Sequence, residues 1–226
     1  MSNYLEPLIR LFDENQNPDL AGPMERYMRD QFAFLGIKSP KRRALFNQFL
    51  SENGLPAPER LSEVMDALWD LPEREYQLTG LDLLEKLRRT LGAEHVPLLE
   101  RLVLTKSWWD TVDAIASNSV GLLFRKYTEL IDAYAEKWII DENMWLNRSA
   151  LLFQLKYKQD TDESRLFRYI LLHADSDEFF LQKAIGWVLR EYSKTAPEAV
   201  HRFISEHELK PLSRREGMKW LRRTKI

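Results

Sequence analysis

The sequence predicts an all-α protein whose helix pairs stack into a solenoid, and three observations lead to that prediction. Apolar residues recur at helical spacing along most of the chain, and no segment alternates apolar and polar residues as a half-buried strand does. The 226 residues include only 8 glycines and 10 prolines, too few for a chain of many short strands and turns. Aromatic residues recur at intervals of about 35 residues, which is typical of helical repeats.

Apolar stripes mark the individual helices. Leu61, Val64 and Leu68 fall at i, i+3 and i+7, so they occupy one face of a helix. Two further stripes have related spacing: Leu81, Leu84 and Leu87, and Ile131, Tyr134 and Trp138. We therefore predict helix almost throughout the chain.

Two short motifs predict helix starts. Ser39 followed by Pro40 is typical of an N-cap with proline at the first helical position. The run from Ser213 to Glu216 has the spacing of a capping box, in which serine and glutamate satisfy backbone N–H groups at the start of a helix.

The repeat is marked by an aromatic residue that opens a helix after a short polar segment. Trp109, Trp145 and Phe180 stand in this position, separated by 36 and 35 residues, and Tyr76 lies 33 residues before Trp109. A helix-turn-helix unit of this length buries its apolar face only against its neighbours, so the units form a solenoid with one concave surface. Because boundaries between repeats are not linkers, we predict a single domain over residues 1–226.

Composition excludes several kinds of site. The chain has no cysteine, which excludes disulfides, thiolate zinc sites, thiol nucleophiles and iron–sulfur clusters. It has no GxGxxG or P-loop motif, and its four histidines have no convincing zinc spacing: His95, His173, His201 and His207. We therefore predict no metal and no cofactor.

The first residues and the apolar runs predict where the protein works. Residues 1–7 contain neither the basic segment nor the apolar core of a signal peptide. No apolar run approaches membrane-spanning length. We expect a soluble, cytoplasmic protein.

Basic residues cluster although the net charge is −2, a value that counts against a nucleic-acid binder. What matters for binding is where the cations lie. The clusters are Lys41, Arg42 and Arg43; Lys156 and Lys158; Lys183, Arg190 and Lys194; and Arg214, Arg215, Lys219, Arg222, Arg223 and Lys225.

An acidic and aromatic pair stands in the segment from residue 105 to 113. Adjacent Trp108 and Trp109 point about 100° apart on a helix, so both cannot face the same core. Trp109 and Asp113 lie at i and i+4 and share one face. A carboxylate beside an exposed indole is unusual for a purely structural helix. The alternative is a tryptophan packed under a neighbouring helix, with Asp113 solvated or capping.

Arg148 lies one turn after Trp145, near the position that Asp113 occupies in its own repeat. If both helices line the concave face, Asp113 and Arg148 form a pair there. The alternative for Arg148 is an ordinary surface salt bridge.

A cationic and aromatic stripe follows in the next repeat. Lys183, Trp187, Arg190 and Lys194 fall at i, i+4, i+7 and i+11 of one helical face. Such a face suits a phosphate backbone with an indole held against a sugar or base. The alternative is lysine and arginine stems covering a half-buried tryptophan.

Six ordered segments resemble the DNA alkylation repair glycosylases of HEAT-like repeat architecture, the AlkD type. They are FLGIKSPKRR (34–43), LWDLPEREYQ (68–77), TKSWWDTVD (105–113), WLNRSALLFQLKYK (145–158), FFLQKAIGWVLREYSKT (179–195) and LKPLSRRE (209–216). The resemblance covers nearly the whole chain, and six ordered segments are far more specific than any one motif. It implies an α-α superhelix of HEAT-like repeats with a concave DNA-binding face.

The resemblance also implies an activity and its residues. It implies hydrolysis of the N-glycosidic bond of N3- and N7-alkylated purines in double-stranded DNA, which leaves an abasic site for base excision repair. The catalytic positions that match are Trp109, Asp113, Arg148 and Trp187, and Tyr27 and Lys156 match residues that line the same cleft. The lesion need not be flipped into a deep pocket. The DNA-binding residues that we predict are Tyr27, Lys41, Arg42, Arg43, Lys156, Lys158, Lys183, Arg190, Lys194, Arg214 and Arg215.

The chemistry of the lesion is consistent with a catalytic set of only four residues. Alkylation at N3 or N7 makes the purine cationic, so the leaving base needs no general acid, and the oxocarbenium-like sugar needs electrostatic support and a positioned water. Asp113 can do both, the two indoles can face the developing charge, and Arg148 can grip a phosphate or fix Asp113. The alternative is a non-catalytic helical-repeat module that binds DNA structures or a protein partner. A glycosylase assay distinguishes the glycosylase from the non-catalytic module. We expect the protein to be a monomer.

Overall fold

The computed structural model describes residues 4–224, and the chain is all-α over this range, as predicted. No strand occurs among these residues, where the isolated bridge of Ala33 with Glu73 is the only strand-like pairing. Contacts divide the chain into two compact units, Met1–Thr90 and Leu91–Ile226, and the single domain over residues 1–226 stays a prediction. Lys225 of the C-terminal basic cluster, and the first three residues of the N-terminal segment, lie outside the described residues.

The first unit is a small helical assembly. Its described helices are α1 (Glu6–Asp13), α2 (Pro18–Tyr27), α3 (Ser39–Asn53), a 3₁₀ turn (Pro58–Arg60), α4 (Leu61–Asp70) and α5 (Arg74–Lys86). Helix α3 packs on α1 and α5, and α4 packs on α5. The predicted stripe of Leu61, Val64 and Leu68 is fully buried on α4, because the apolar face of that helix is covered by its partner.

The second unit holds the longer series of helices. After a 3₁₀ turn (Ala93–His95) these are α6 (Val96–Leu104), α7 (Trp109–Ala114), a π-helical segment (Ile115–Val120), α8 (Gly121–Lys126), a second π-helical segment (Ile131–Ala135), α9 (Glu136–Trp138), α10 (Met144–Leu152), a 3₁₀ turn (Lys158–Asp160), α11 (Glu163–Leu172), α12 (Phe179–Tyr192), α13 (Pro197–Glu206), α14 (Pro211–Gly217) and α15 (Lys219–Thr224). Among residues 4–224, no helix combines the length and the apolar character needed to cross a membrane.

The helices of the second unit stack in two layers. In one layer α7 packs on α10, α10 on α12, and α12 on α14. In the other layer α6, α9 and α11 pack on α10, and α13 packs on α12. Each repeat therefore buries its apolar face against its neighbours, as the 35-residue period predicts.

Each predicted repeat begins where its aromatic residue stands. Tyr76, Trp109, Trp145 and Phe180 all lie in the first turn of a helix, on α5, α7, α10 and α12. An amide side chain just after the aromatic closes the preceding turn. Asn147 Nδ2 donates to the carbonyls of residues 138 and 141, both at 2.9 Å. These two hydrogen bonds fix the turn that joins α9 to α10.

Proline marks helix starts more reliably than serine does here. Six of the ten prolines stand in the first turn of an α-helix, where the missing N–H is not needed. Helix α3 begins at Ser39 itself, with Lys38 as its N-cap and no side-chain capping bond. The predicted N-cap role of Ser39 is therefore wrong, because Pro40 fits the second helical position as well as the first.

The predicted capping box at Ser213 is also wrong. Helix α14 begins at Pro211 with Lys210 as its N-cap, so Ser213 and Glu216 lie inside the helix. Ser213 Oγ donates to the carbonyl of Gln182 on the neighbouring helix at 3.2 Å. Tertiary packing of α14 on α12 takes both side chains away from a local capping role.

Candidate active site

A cavity of about 340 Å³ opens in the second unit, where α7, α10, α12 and α14 meet. Its lining residues are Trp109, Asp113, Arg148, Phe179, Phe180, Lys183, Trp187, Arg190 and Glu216. The four side chains that the sequence places in a catalytic set, from three different repeats, thus lie around one cavity. A pocket that gathers a carboxylate, a guanidinium and two indoles is the strongest candidate for a functional site in this unit.

Helix α7 presents Trp109 and Asp113 to this cavity, and they lie one turn apart on a shared face, as their spacing predicts. The preceding Trp108 is in extended conformation and turns away. Its ring packs on Trp145 and Phe180, with centroid distances of 5.9 Å and 5.1 Å. The two adjacent indoles therefore serve different surfaces, one in an aromatic cluster and one in the cavity wall.

This aromatic cluster fixes the helix that carries Arg148. Asn143 caps α10 by accepting a hydrogen bond from the Trp145 N–H at 2.9 Å. The Trp145 ring, 5.0 Å from that of Phe180, holds the first turn of α10 against α12. Arg148 follows one turn later and is thereby aimed at α7.

Asp113 and Arg148 form a bidentate ion pair in the cavity wall. Arg148 Nε donates to Asp113 Oδ1 at 2.6 Å, and Nη2 donates to Oδ2 at 2.8 Å. Only 5% of the Arg148 side chain and 14% of the Asp113 side chain are exposed. Arg148 Nη1 donates to the backbone carbonyl of Phe180. Of the two roles that the sequence leaves open for Arg148, this geometry favours fixing Asp113.

Opposing effects act on the carboxyl group of Asp113. Burial raises its pKa, because the charged form loses its water. The hydrogen bonds and the charge of Arg148 lower the pKa, and the charge of Asp110 raises it. Burial is the largest effect, so the pKa of Asp113 lies above that of an ordinary aspartate.

The cationic stripe of α12 lies along the same cavity. Lys183, Trp187 and Arg190 all line it. Helix α12 ends at Tyr192, so Lys194 stands beyond the helix, where it is exposed and pairs with Glu191. The stripe therefore reaches the cavity with three of its four predicted members.

Glu216 is a cavity residue that sequence reasoning missed. Its carboxylate, with 6% of the side chain exposed, binds Lys183 at 3.3 Å, Arg190 at 2.8 Å and Lys219 at 2.6 Å. The hydrogen bond from Lys219 is the largest of the effects that lower its pKa, to about 2, with Lys183 contributing as well. A Cβ on Gly186 would lie 2.4 Å from the Glu216 Cβ, so this close approach of α14 to α12 needs glycine. The only sequence signal was the small residues on both helices, Gly186 on α12 and Ser213 and Gly217 on α14.

Phe179 and Phe180 also line the cavity without having been predicted as site residues. Phe180 was recognised only as the aromatic that opens a repeat. Its backbone carbonyl accepts a hydrogen bond from Arg148, and a backbone contact of this kind does not depend on the residue type. Nothing in the sequence could have identified it.

The predicted DNA-binding residues of the first unit differ in exposure. The Tyr27 side chain is 72% exposed, and Lys41 and Arg43 are exposed on α3. Arg42 is buried, with 3% exposed, and its guanidinium binds Thr79 and Asp82. A phosphate contact from Arg42 conflicts with this burial. The signal was available, because Arg42 shares the helical face of three buried apolar residues: Leu45, Phe46 and Phe49.

The remaining predicted DNA-binding residues lie in the second unit and line neither the cavity nor its wall. Lys156 is exposed and donates to Asn118 Oδ1, and Lys158 is exposed on a 3₁₀ turn. Arg214 is exposed but donates at 2.6 Å to the carbonyl of Ile204, near the end of α13. Arg215 is exposed on α14. Among residues 4–224, no cluster of three or more histidine, cysteine, aspartate or glutamate side chains has a geometry that could hold a metal ion.

Comparisons with known proteins agree on one family. A family model described as DNA alkylation repair enzyme matches residues 8–221. A solved structure described as a predicted DNA alkylation repair enzyme from Enterococcus faecalis is similar to this chain with a TM-score of 0.85 and 37% identity. The match covers 91% of this chain and 96% of that one. No curated protein matches the chain significantly.

Proposed function

The chain belongs to the family of DNA alkylation repair enzymes, and we propose that it is a monofunctional DNA glycosylase for N3- and N7-alkylated purines. It hydrolyses the N-glycosidic bond of bases such as 3-methyladenine and 7-methylguanine in double-stranded DNA. The product is an abasic site, which base excision repair then processes. The enzyme acts as a monomer and without a cofactor.

One observation carries this proposal: the cavity holds two carboxylates, and neither is arranged to donate a proton. Glu216 has a pKa of about 2, so it is charged at neutral pH. Both oxygens of Asp113 accept hydrogen bonds from Arg148. A site in which neither carboxylate is placed to donate a proton suits a leaving group that is already cationic, and an N3- or N7-alkylated purine is such a group.

Asp113 supports the sugar in this mechanism. As the glycosidic bond breaks, positive charge develops on the deoxyribose, and a nearby carboxylate stabilises it. The same carboxylate can hold the attacking water through its remaining lone pairs. Arg148 keeps the carboxylate in place, because its two parallel hydrogen bonds allow one orientation only.

Trp109 and Trp187 form the aromatic part of the site. Both line the cavity, on α7 and α12. Their π faces attract the cationic base and the cationic sugar, an interaction worth about 0.5 to 2 kcal/mol for each contact. Lys183 and Arg190 add positive charge for the flanking phosphates, although Glu216 offsets part of it.

The test is release of free base from duplex DNA that carries N7-methylguanine. We expect release well above spontaneous depurination, and an abasic site that alkali cleaves while the enzyme leaves the strand intact. Because the chain lacks cysteine and a histidine cluster, we expect release to persist in EDTA. Binding of damaged duplex without any base release would favour the non-catalytic module instead, and loss of release in EDTA would reveal a metal site.

As the pH is lowered, the rate of excision should begin to fall at a higher pH than it would if it depended on an aspartate with an ordinary pKa. The carboxylate is charged above its pKa, and burial raises that pKa, so protonation removes the charge earlier as the pH falls. The measurement is the single-turnover rate against pH, with spontaneous release subtracted at every point. A rate that stays level down to about pH 4, near the ordinary aspartate pKa, would contradict a required Asp113 carboxylate.

A further inference from the structure

A second cavity of about 310 Å³ adjoins the candidate active site. Its lining residues are Arg190, Lys194, Lys219, Trp220 and Arg223. Arg190 lines both cavities, so a ligand in the second one lies directly beside the first. The active-site chemistry described above uses neither Trp220 nor Arg223, and it uses Lys219 only as a partner of Glu216.

The charges around this second cavity favour an anion. Four of its five lining side chains are cationic, and no carboxylate lines it. Two carboxylates outside the lining offset part of this charge: Glu216 binds Arg190 and Lys219, and Glu191 binds Lys194. Four cations against two carboxylates leave an excess of positive charge. Arg223 is exposed and makes no ion pair with any residue between 4 and 224, which leaves its guanidinium available.

Trp220 distinguishes this cavity from a general basic patch. The indole lies on the short helix α15, is half-buried, and lines the cavity together with the four cations. An aromatic face among cations is the arrangement with which proteins hold a nucleic-acid backbone, since phosphates pair with the cations and a sugar or base lies on the ring. Binding of a small free anion does not require the indole.

We propose that this cavity is a second nucleic-acid contact, which binds a backbone phosphodiester of the DNA strand flanking the lesion. Arg223 and Lys219 bind the phosphate, and the neighbouring sugar or base lies against Trp220. Glu216 binds both Arg190 and Lys219 and holds these two cations in place. The proposal rests on the proposed function for its ligand, duplex DNA.

Affinity and its salt dependence test the contact. The probe is a duplex with a stable abasic analogue, titrated at several salt concentrations. We expect Arg223→Gln to weaken binding about fivefold to tenfold near 0.1 M salt and to reduce the slope of log Kobs against log salt by about 1, because one phosphate contact is lost. Trp220→Leu should weaken binding at least about fivefold without changing the slope, and Trp220→Phe should restore most of it.

Matched controls separate this effect from general charge loss. Arg202→Gln removes the same charge from an exposed position on α13 that lines neither cavity, and it should change affinity by less than about twofold. Inorganic phosphate alone, followed by tryptophan fluorescence, tests whether the cavity takes a free anion. Quenching by phosphate that needs Arg223, with no effect of Arg223→Gln on duplex binding, would overturn the proposal.

Base release is measured separately, so the two proposals can fail independently. Arg223→Gln and Trp220→Leu variants that bind duplex like the unmodified chain overturn the second contact, even where base release is normal. Absent base release with Arg223-dependent duplex binding overturns the glycosylase and leaves the second contact standing. A folded protein that binds no duplex at all overturns both.

Discussion

Asp113→Asn should reduce excision of N7-methylguanine by about a thousandfold. A carboxylate about 4 Å from a cationic sugar contributes about 4 kcal/mol at an effective dielectric near 20. Each 1.36 kcal/mol lost is about tenfold in rate, so loss of this charge is equivalent to nearly three orders of magnitude. The measurement is the single-turnover rate of base release, corrected for spontaneous depurination.

Binding should respond much less to the same substitution. Phosphate contacts carry most of the affinity for DNA, so binding of a duplex with a stable abasic analogue should change by no more than about threefold. Asp110→Asn is the matched control, because it removes a carboxylate from the same helix at a position that does not line the cavity. Full excision by a folded Asp113→Asn variant would end the assignment of Asp113 as the electrostatic partner of the transition state.

Four members of the candidate site were predicted because the chain resembles a known family, and the repeat explains why these residues meet. Asp113 and Arg148 are tens of residues apart, yet each lies about one helical turn after the aromatic that opens its repeat, and Trp187 lies about two turns after Phe180. Stacked helices turn such positions toward one cavity, where Trp109 joins them. Periodicity thus indicated the proximity of Asp113 and Arg148, and the resemblance added Trp187.

The misassigned residues share one physical cause, which is tertiary packing that overrides a local pattern. Glu216 lies three residues after a serine, as in a capping box, but contact between α14 and α12 makes it the partner of three cations. Arg42 belongs to a basic run, but its position on the buried face of α3 turns it inward to Asp82. Clustering of charges along the sequence predicts neither outcome. The burial of Arg42 could nevertheless have been predicted from the apolar residues on its helical face.

The ion pair of Asp113 with Arg148 leads to the second large expected effect, which is on stability. Arg148→Met leaves a buried carboxylate without its partner and removes the hydrogen bond to the Phe180 carbonyl. Breaking such a pair costs about 3 to 5 kcal/mol. We therefore expect the free energy of unfolding in urea to fall by that amount, and excision to be lost, because nothing then orients Asp113.

Replacing both partners separates the fold from the chemistry. A buried ion pair exchanged for apolar side chains of similar volume is often neutral or stabilising, so Asp113→Leu combined with Arg148→Met should regain most of the stability lost in Arg148→Met. Excision should stay absent in the double variant, because the carboxylate is gone. Since the guanidinium of Arg148 is directed at Asp113 and Phe180, duplex binding should change by less than about threefold in either variant. A large loss of binding in the stable double variant would instead assign Arg148 to a phosphate, and unchanged stability in Arg148→Met would mean that the pair does not hold α7 to α10.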